Sequence, residues 1–346
     1  MPKLGCGHIV GAERLQRSDD TLTNLKEDDV IDNPNAEKTS LQAGRSLLAM
    51  AFAAGLFSTP ALAQAPAEFA NASPWVPSVR GGAIHQFDTD LDSGGDFSVS
   101  RAYIEPGLTY VLGPVGSVGV AIGYGYSDYS FSSASFRPWS DVNDLSFSIP
   151  IRWAVSPDFQ IFAAPSLRFD WESGADMEDG FTAGAIVGAG WRISDTLFIG
   201  PGVGVFSGLE EDVNAFPVLV LDWQIADNLA LKTGSGLGAS RGPGLSLEWQ
   251  ASQDWTFGLG SRYEEVRFRL DDTGPVPDGV GEDRAVPIFL TASWAASERA
   301  NLTAVAGVET AGRLSVEDST GLTVSRTDYD PGFFLGFAFN IRFGGP

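Results

Sequence analysis

Nowhere in its 346 residues does the chain carry a run of 18 or more apolar residues. That excludes a multi-span helical membrane protein, because each helical crossing needs about 20 predominantly apolar residues. Cysteine is nearly missing, with Cys6 alone, and histidine is limited to His8 and His85. Disulfides therefore cannot hold the fold, and chemistry that needs several histidines is excluded with them. Charge is scarce at 19%, and positive charge scarcer still: 22 Lys and Arg stand against 44 Asp and Glu, for a net charge of −22. Such a balance repels a phosphate backbone and argues against nucleic acid as a partner. A mean hydropathy of +0.01 is nevertheless too high for a disordered chain.

What the chain has in quantity is glycine, 41 residues, and aromatic side chains, 11%. The longest apolar stretch, Ser46 to Phe57, follows Arg45 and is broken by Pro60 before Ala61-Leu62-Ala63. A positive flank, a short apolar core and a small-x-small site form a secretory signal, so residues 45–63 are expected to be cleaved before Gln64. Residues 1–44 are polar and precede that signal, which points to a start assigned too early or an unusually long leading region. They are set aside from the fold, as a short segment 64–74 and a tail 344–346 are set beside it. Beyond the leader the chain keeps 16 basic and 36 acidic residues, His85 as its one histidine and no cysteine.

A recurring segment organises the remainder. It reads Trp153-Ala-Val-Ser-Pro-Asp158, Trp191-Arg-Ile-Ser-Asp-Thr196, Trp223-Gln-Ile-Ala-Asp-Asn228, Trp249-Gln-Ala-Ser-Gln-Asp254 and Trp294-Ala-Ala-Ser-Glu-Arg299, with a degenerate copy at Tyr110. The intervals between the tryptophans, 38, 32, 26 and 45 residues, are too uneven for a solenoid. They fit hairpins with constant turns at one end and variable loops at the other. Between the turns, apolar residues alternate with period two, as in Leu145, Phe147, Ile149, Ile151 and Trp153, the signature of a strand with one apolar face.

These features predict an all-β protein, a closed antiparallel transmembrane β-barrel over residues 75–343 with about 14 strands (12 as the alternative), short periplasmic turns and longer external loops. The indole rings of Trp153, Trp191, Trp223, Trp249 and Trp294, with Tyr110, are expected to form a periplasmic aromatic girdle, since an amphipathic ring favours the membrane boundary. Prolines 106, 150, 165, 201, 217 and 287 fall within the expected strands, where each removes a ladder hydrogen bond. The last strand alternates Phe333, Leu335, Phe337, Phe339, Ile341 and Phe343. It resembles the C-terminal assembly signal of bacterial outer-membrane β-barrel proteins, although Gly344-Gly345-Pro346 follow the terminal aromatic. The resemblance implies outer-membrane residence in a Gram-negative cell after export through the inner membrane. It also implies the barrel-assembly machinery as a partner in biogenesis, and outer-membrane lipid and lipopolysaccharide as surroundings.

If the apolar faces look outward, the other faces line a lumen. On them stand Arg101 and Glu105, Arg152, Arg168 and Asp170, Arg192, and Asp222 and Lys232. Further along come Glu248, Arg262 and Glu264, Glu309 and Arg313, and Arg342. Charges of both signs fit either a pore that orients small solutes or a network of pairs that fills a narrow barrel. Glycine rows at 200, 202 and 204 and at 234, 236 and 238 favour open space. Asp88, Asp90 and Asp92 share the spacing of half a calcium loop, but Ser93 replaces its turn glycine and Val99 its bidentate glutamate, so a metal is not expected. No cofactor is implied. An enzyme would have to use His85 as general base, with no partner evident in the sequence. The leading expectation is a passive, porin-like channel with a cation preference; the alternative is a non-conducting structural or surface-interaction barrel.

Overall fold

The computed structural model describes residues 73–132, 137–210, 213–234 and 244–344. The leading region 1–44, the signal 45–63, most of the segment 64–74, the last two residues of the tail, the loop 239–243 and Gly236 and Gly238 lie outside the described residues.

The chain runs through β1 (Trp75–Asp90), β2 (Asp96–Val111), β3 (Gly116–Phe131), β4 (Asp141–Ser148), β5 (Ile151–Ser156), β6 (Phe159–Glu172), β7 (Phe181–Ser194), β8 (Leu197–Phe206) and β9 (Asn214–Ala226). It continues through β10 (Leu229–Thr233), β11 (Gly244–Gln250), β12 (Trp255–Arg262), β13 (Glu264–Arg269), β14 (Val280–Ser297), β15 (Ala300–Glu317), β16 (Thr323–Tyr329) and β17 (Gly332–Arg342). Fourteen of these close an antiparallel ring, sealed by β1 against β17 from Ser78↔Arg342 to Gln86↔Phe334. The other three, β5, β13 and β16, prolong ring strands across a short break.

Proline explains two of the interruptions. Pro150 sits in the gap between β4 and β5, and β12 yields to β13 in register with Val286 and Pro287 on β14. Pro106, Pro165, Pro201 and Pro217 are accommodated inside β2, β6, β8 and β9. A closed ring has no edge on which to place them, so each costs the wall one ladder bond and no more.

The exterior is apolar where a bilayer requires it. Ile122, Leu219, Leu259, Ile288, Leu290, Leu335 and Phe337 are all exposed. The expected tryptophans are exposed too, at 42–49%, and Trp75 and Trp255 join them at the same end. The repeat owes its serine to the turn geometry. Ser156, Ser194, Ser252 and Ser297 each accept a backbone N–H from the residue two positions on, at 3.3 Å, closing the short turn from within.

Glycine does not open the interior as expected. In eight cross-strand pairs an aromatic ring lies on the glycine directly opposite, where a Cβ would come within 3 Å of it. Phe339 does so on the exterior, over Gly81. The other seven face inward: Phe162 on Gly188, Phe206 on Gly184, Phe216 on Gly204, Phe289 on Gly260, Phe334 on Gly307, Phe268 on Gly281 and Tyr329 on Gly312. The glycines are seats that let rings lie flat against a strongly curved wall.

The ring changes circumference along its axis. Among the described residues the strands on the side of β7 to β11 include the shorter ones of the ring: β8 has 10 residues, β10 has 5 and β11 has 7, against 16 in β1 to β3. Above them β13 crosses to β6, where Arg269 forms a parallel bridge with Trp171. That single bridge closes a smaller upper tier of nine strands, β1 to β4, β6 and β13 to β16, over a lower tier of fourteen. Barrels of about eight strands are filled by their own side chains, whereas wider ones leave a lumen. The upper tier obeys this rule. Phe97, Val99, Tyr129, Phe131, Trp139, Phe268, Leu314 and Val316 form one buried cluster within it.

An arginine at Leu290, 62% exposed on the outer wall, is expected to destabilise the folded barrel by about 2–4 kcal/mol in bilayers, the cost of charge near the midplane. Val324→Arg, at a position 52% exposed but on the upper tier, should change stability by less than about 1 kcal/mol. Urea titrations of lipid-embedded protein, followed by the loss of heat-resistant migration, measure both. Equal effects would contradict a wall in contact with lipid.

Candidate functional site

The interior carries the candidate site. Arg101, on the inward face of β2, reaches across to β14 and β15, donating to Asp283 Oδ2 at 2.8 Å and Glu309 Oε1 at 3.0 Å. Tyr129 donates to Asp283 at 2.9 Å, and Tyr329 to Asp283 at 3.2 Å and Glu309 at 3.3 Å. Asp283 and Glu309 are 3% exposed, so both carboxylates depend on these donors. Arg262 pairs with Glu264 just below, its guanidinium 4.9 Å from the Phe289 ring. Together these groups form a polar floor under the apolar cluster of the upper tier.

Two further arginines repeat the same stoichiometry. Arg168 contacts Asp170 at 2.8 Å and Asp144 at 3.3 Å, from the inward faces of β6 and β4. On the outer face of the upper tier, alternating with the inward Phe268, Asp283 and Val316, Arg267 contacts Glu282 and Glu317, each at 2.8 Å, and donates to the Leu209 carbonyl at 3.2 Å. Each arginine thus holds two carboxylates, and the three sets carry a formal surplus of three negative charges. Arg80 with Glu105 and Lys232 with Glu248 balance one to one.

Most of the charged residues expected in the lumen do face inward, including Arg101, Glu105, Arg168, Asp170, Lys232, Glu248, Arg262, Glu264 and Glu309. Arg152 and Asp222 share the inward faces of β5 and β9. Arg192 and Arg342 stand at the periplasmic rim, where Arg342 donates to the Glu298 carbonyl at 3.2 Å. Arg313 is a correction. Ala311, with φ of 53°, dislocates β15 and turns Leu314 inward, leaving Arg313 half-buried on the outer face and paired with Asp328. The partners Asp283, Asp144, Glu282, Glu317 and Arg80 escape a sequence reading because cross-strand register decides who meets whom. Alternation marked their faces, but not their neighbours.

His85 is the second correction. It lies on the outward face of β1, and its Nδ1 is 2.9 Å from Ser100 Oγ on β2. Asp128 follows in the same row, beyond Ser100 on β3 and not behind the imidazole. A serine partner exists, but the order is not that of a relay in which the histidine sits between acid and serine. Asp88, Asp90 and Asp92 do not converge: among the described residues no three acidic, histidine or cysteine side chains meet as metal ligands. In the external loops, Asp318 accepts from Thr320 Oγ1 at 2.6 Å, Thr320 N at 2.9 Å and Leu322 N at 3.1 Å, which holds its carboxyl below the usual range. Asp271 is lowered by Thr273 in the same manner.

Arg101→Met is expected to destabilise the barrel by about 3–5 kcal/mol at neutral pH, because Asp283 and Glu309 then stand buried side by side without their cation. The deficit should shrink as pH falls and the orphaned carboxylates take up protons. The triple variant Arg101→Met/Asp283→Asn/Glu309→Gln should recover most of the loss. Unfolding titrations across pH check this, and a pH-independent deficit would contradict it.

No family model matches the chain, and no curated protein does. Solved structures do. An outer-membrane channel from Pseudomonas putida F1 is 12% identical, with 81% of this chain and 100% of that one covered and a TM-score of 0.45. A Pseudomonas aeruginosa FadL homologue is 10% identical, with 77% and 90% covered and a TM-score of 0.45. The P. putida toluene transporter TodX is 8% identical, with 82% and 92% covered and a TM-score of 0.41.

Proposed function

We propose that the chain is a passive, porin-like channel for small solutes in the bacterial outer membrane, reached by export through the inner membrane. The carrying observation is the lower tier. Fourteen strands enclose more space than their side chains fill by the size rule for barrels, and inward glycines carry rings laid flat on the wall. The apolar exterior with its tryptophan girdle supports residence among outer-membrane lipid and lipopolysaccharide. The terminal strand, β17 with Phe343 after it, supports insertion by the barrel-assembly machinery.

A preference for cations fits the interior charge. Two inward arginines, Arg101 and Arg168, each face two carboxylates, so a permeating cation meets a surplus of negative charge. The filled upper tier favours a second reading, a non-conducting barrel that acts through its surface.

Planar-bilayer recordings of the protein purified from outer membranes, under a salt gradient, separate the two. The channel reading expects discrete steps with a cation-selective reversal potential. Asp144→Asn, which leaves Arg168 one carboxylate, should move that potential toward zero. A correctly folded barrel that never conducts would select the second reading.

A further inference from the structure

We propose that the seam between β6 and β13 is the gate of the channel, an inference that rests on the pore reading above. It is one of two junctions of the upper tier made by a single backbone bridge, here Arg269↔Trp171. The other neighbouring pairs in that tier have multi-residue antiparallel ladders, from six pairs between β13 and β14 to sixteen between β14 and β15. At the second single-bridge junction, β16 against β1, the Leu91↔Tyr329 bridge, made by Asp92 N to Asp328 O and Asp330 N to Asp90 O, sits directly above the nine-pair β1–β17 ladder, whereas the β6–β13 bridge has no ladder between the two strands beneath it.

The seam decides whether the mouth is filled. With β6 joined to β13 the ring counts nine strands and its side chains pack it solid. Without that junction the circumference passes through β7 to β11, and the same side chains cannot fill it. Phe268 is the wedge: it is fully buried, its ring 5.1 Å from Trp139 across the tier.

Side chains and loops latch the junction from outside. Arg269 donates to the Asp179 carbonyl at 3.1 Å and the Asp278 carbonyl at 2.6 Å, and pairs with Glu210 at 2.7 Å. Glu172, at the end of β6, accepts from Asp271 N at 3.0 Å and Ser140 N at 2.9 Å. These contacts are polar and few, and although Arg269 and Glu172 are buried while the seam is shut, its opening hands both to water, so their hydrogen bonds are exchanged for water and not left unmade. The ladders of the lower wall lie in lipid, where no such exchange is possible. Opening is therefore confined to the tier above the membrane, and the lower ring stays closed.

The test places cysteines at the bridge, Trp171→Cys with Arg269→Cys, in a Cys6→Ser background, so that the pair holds the only thiols. Cross-linking is confirmed by mass spectrometry and conductance is recorded before and after reduction. The gate predicts a cross-linked protein whose open probability is lower by about tenfold or more, restored by reductant. A second variant, Phe268→Ala/Arg269→Ala, keeps every ladder intact and should raise open probability above wild type by a comparable factor. If wild type conducts and neither the cross-link nor the loosened seam alters its gating, the seam is not the gate although the channel stands. Silence from wild type, reduced protein and loosened variant alike would overturn the gate together with the channel.

Discussion

The structure depends on one constraint, that a backbone in hydrocarbon must satisfy its N–H and C=O groups without water. A sheet meets that demand only by closing on itself. Closure of β1 on β17 removes the last free edge, and the remaining features follow from living inside a closed ring. Prolines can only punctuate strands. Outward side chains become apolar, while inward ones combine charged pairs and glycines with rings such as Phe162 and Phe289. Curvature has to be absorbed within the wall, which the glycine seats and their overlying rings accomplish.

Above the bilayer the constraint relaxes, and the chain uses that freedom. Strand β13 leans onto β6, and the circumference falls from fourteen strands to nine. Size then dictates content: the narrower ring packs like the core of a soluble protein, with Arg101, Asp283 and Glu309 as its polar floor. A wider ring and a solid plug thus arise from the same wall, without a separate plug domain among the described residues.

Much of the fold was legible in the sequence because its signals are local. Alternation marked the strands, the serine-containing turns marked one end of the hairpins, and counting turns against loops led to fourteen. What was not legible depends on register and reach. Nothing local says that Phe216 will lie on Gly204, so the glycine rows read as space. Arg313 was assigned to the lumen because a single dislocation at Ala311 is invisible to a period-two pattern. His85 read as partnerless because Ser100 is 15 residues away in the chain, and the seam joins residues 98 apart. Alternation put the candidate charges other than Arg313 on inward faces, while their pairing, which decides their chemistry, required the structure.

The central claim is that the barrel holds a lumen closed toward the cell exterior by its own upper tier. Cysteine accessibility tests it most directly, since Cys6 is the only native thiol. In a Cys6→Ser background, Thr291→Cys lies on the inward face of the lower tier and Thr320→Cys in an external loop. A bulky, membrane-impermeant maleimide added outside intact cells should label Thr320→Cys readily. It should label Thr291→Cys far more slowly, and label it freely once the periplasmic side is exposed. Equal labelling of the two positions from outside would show a mouth that stands open, and would contradict the account.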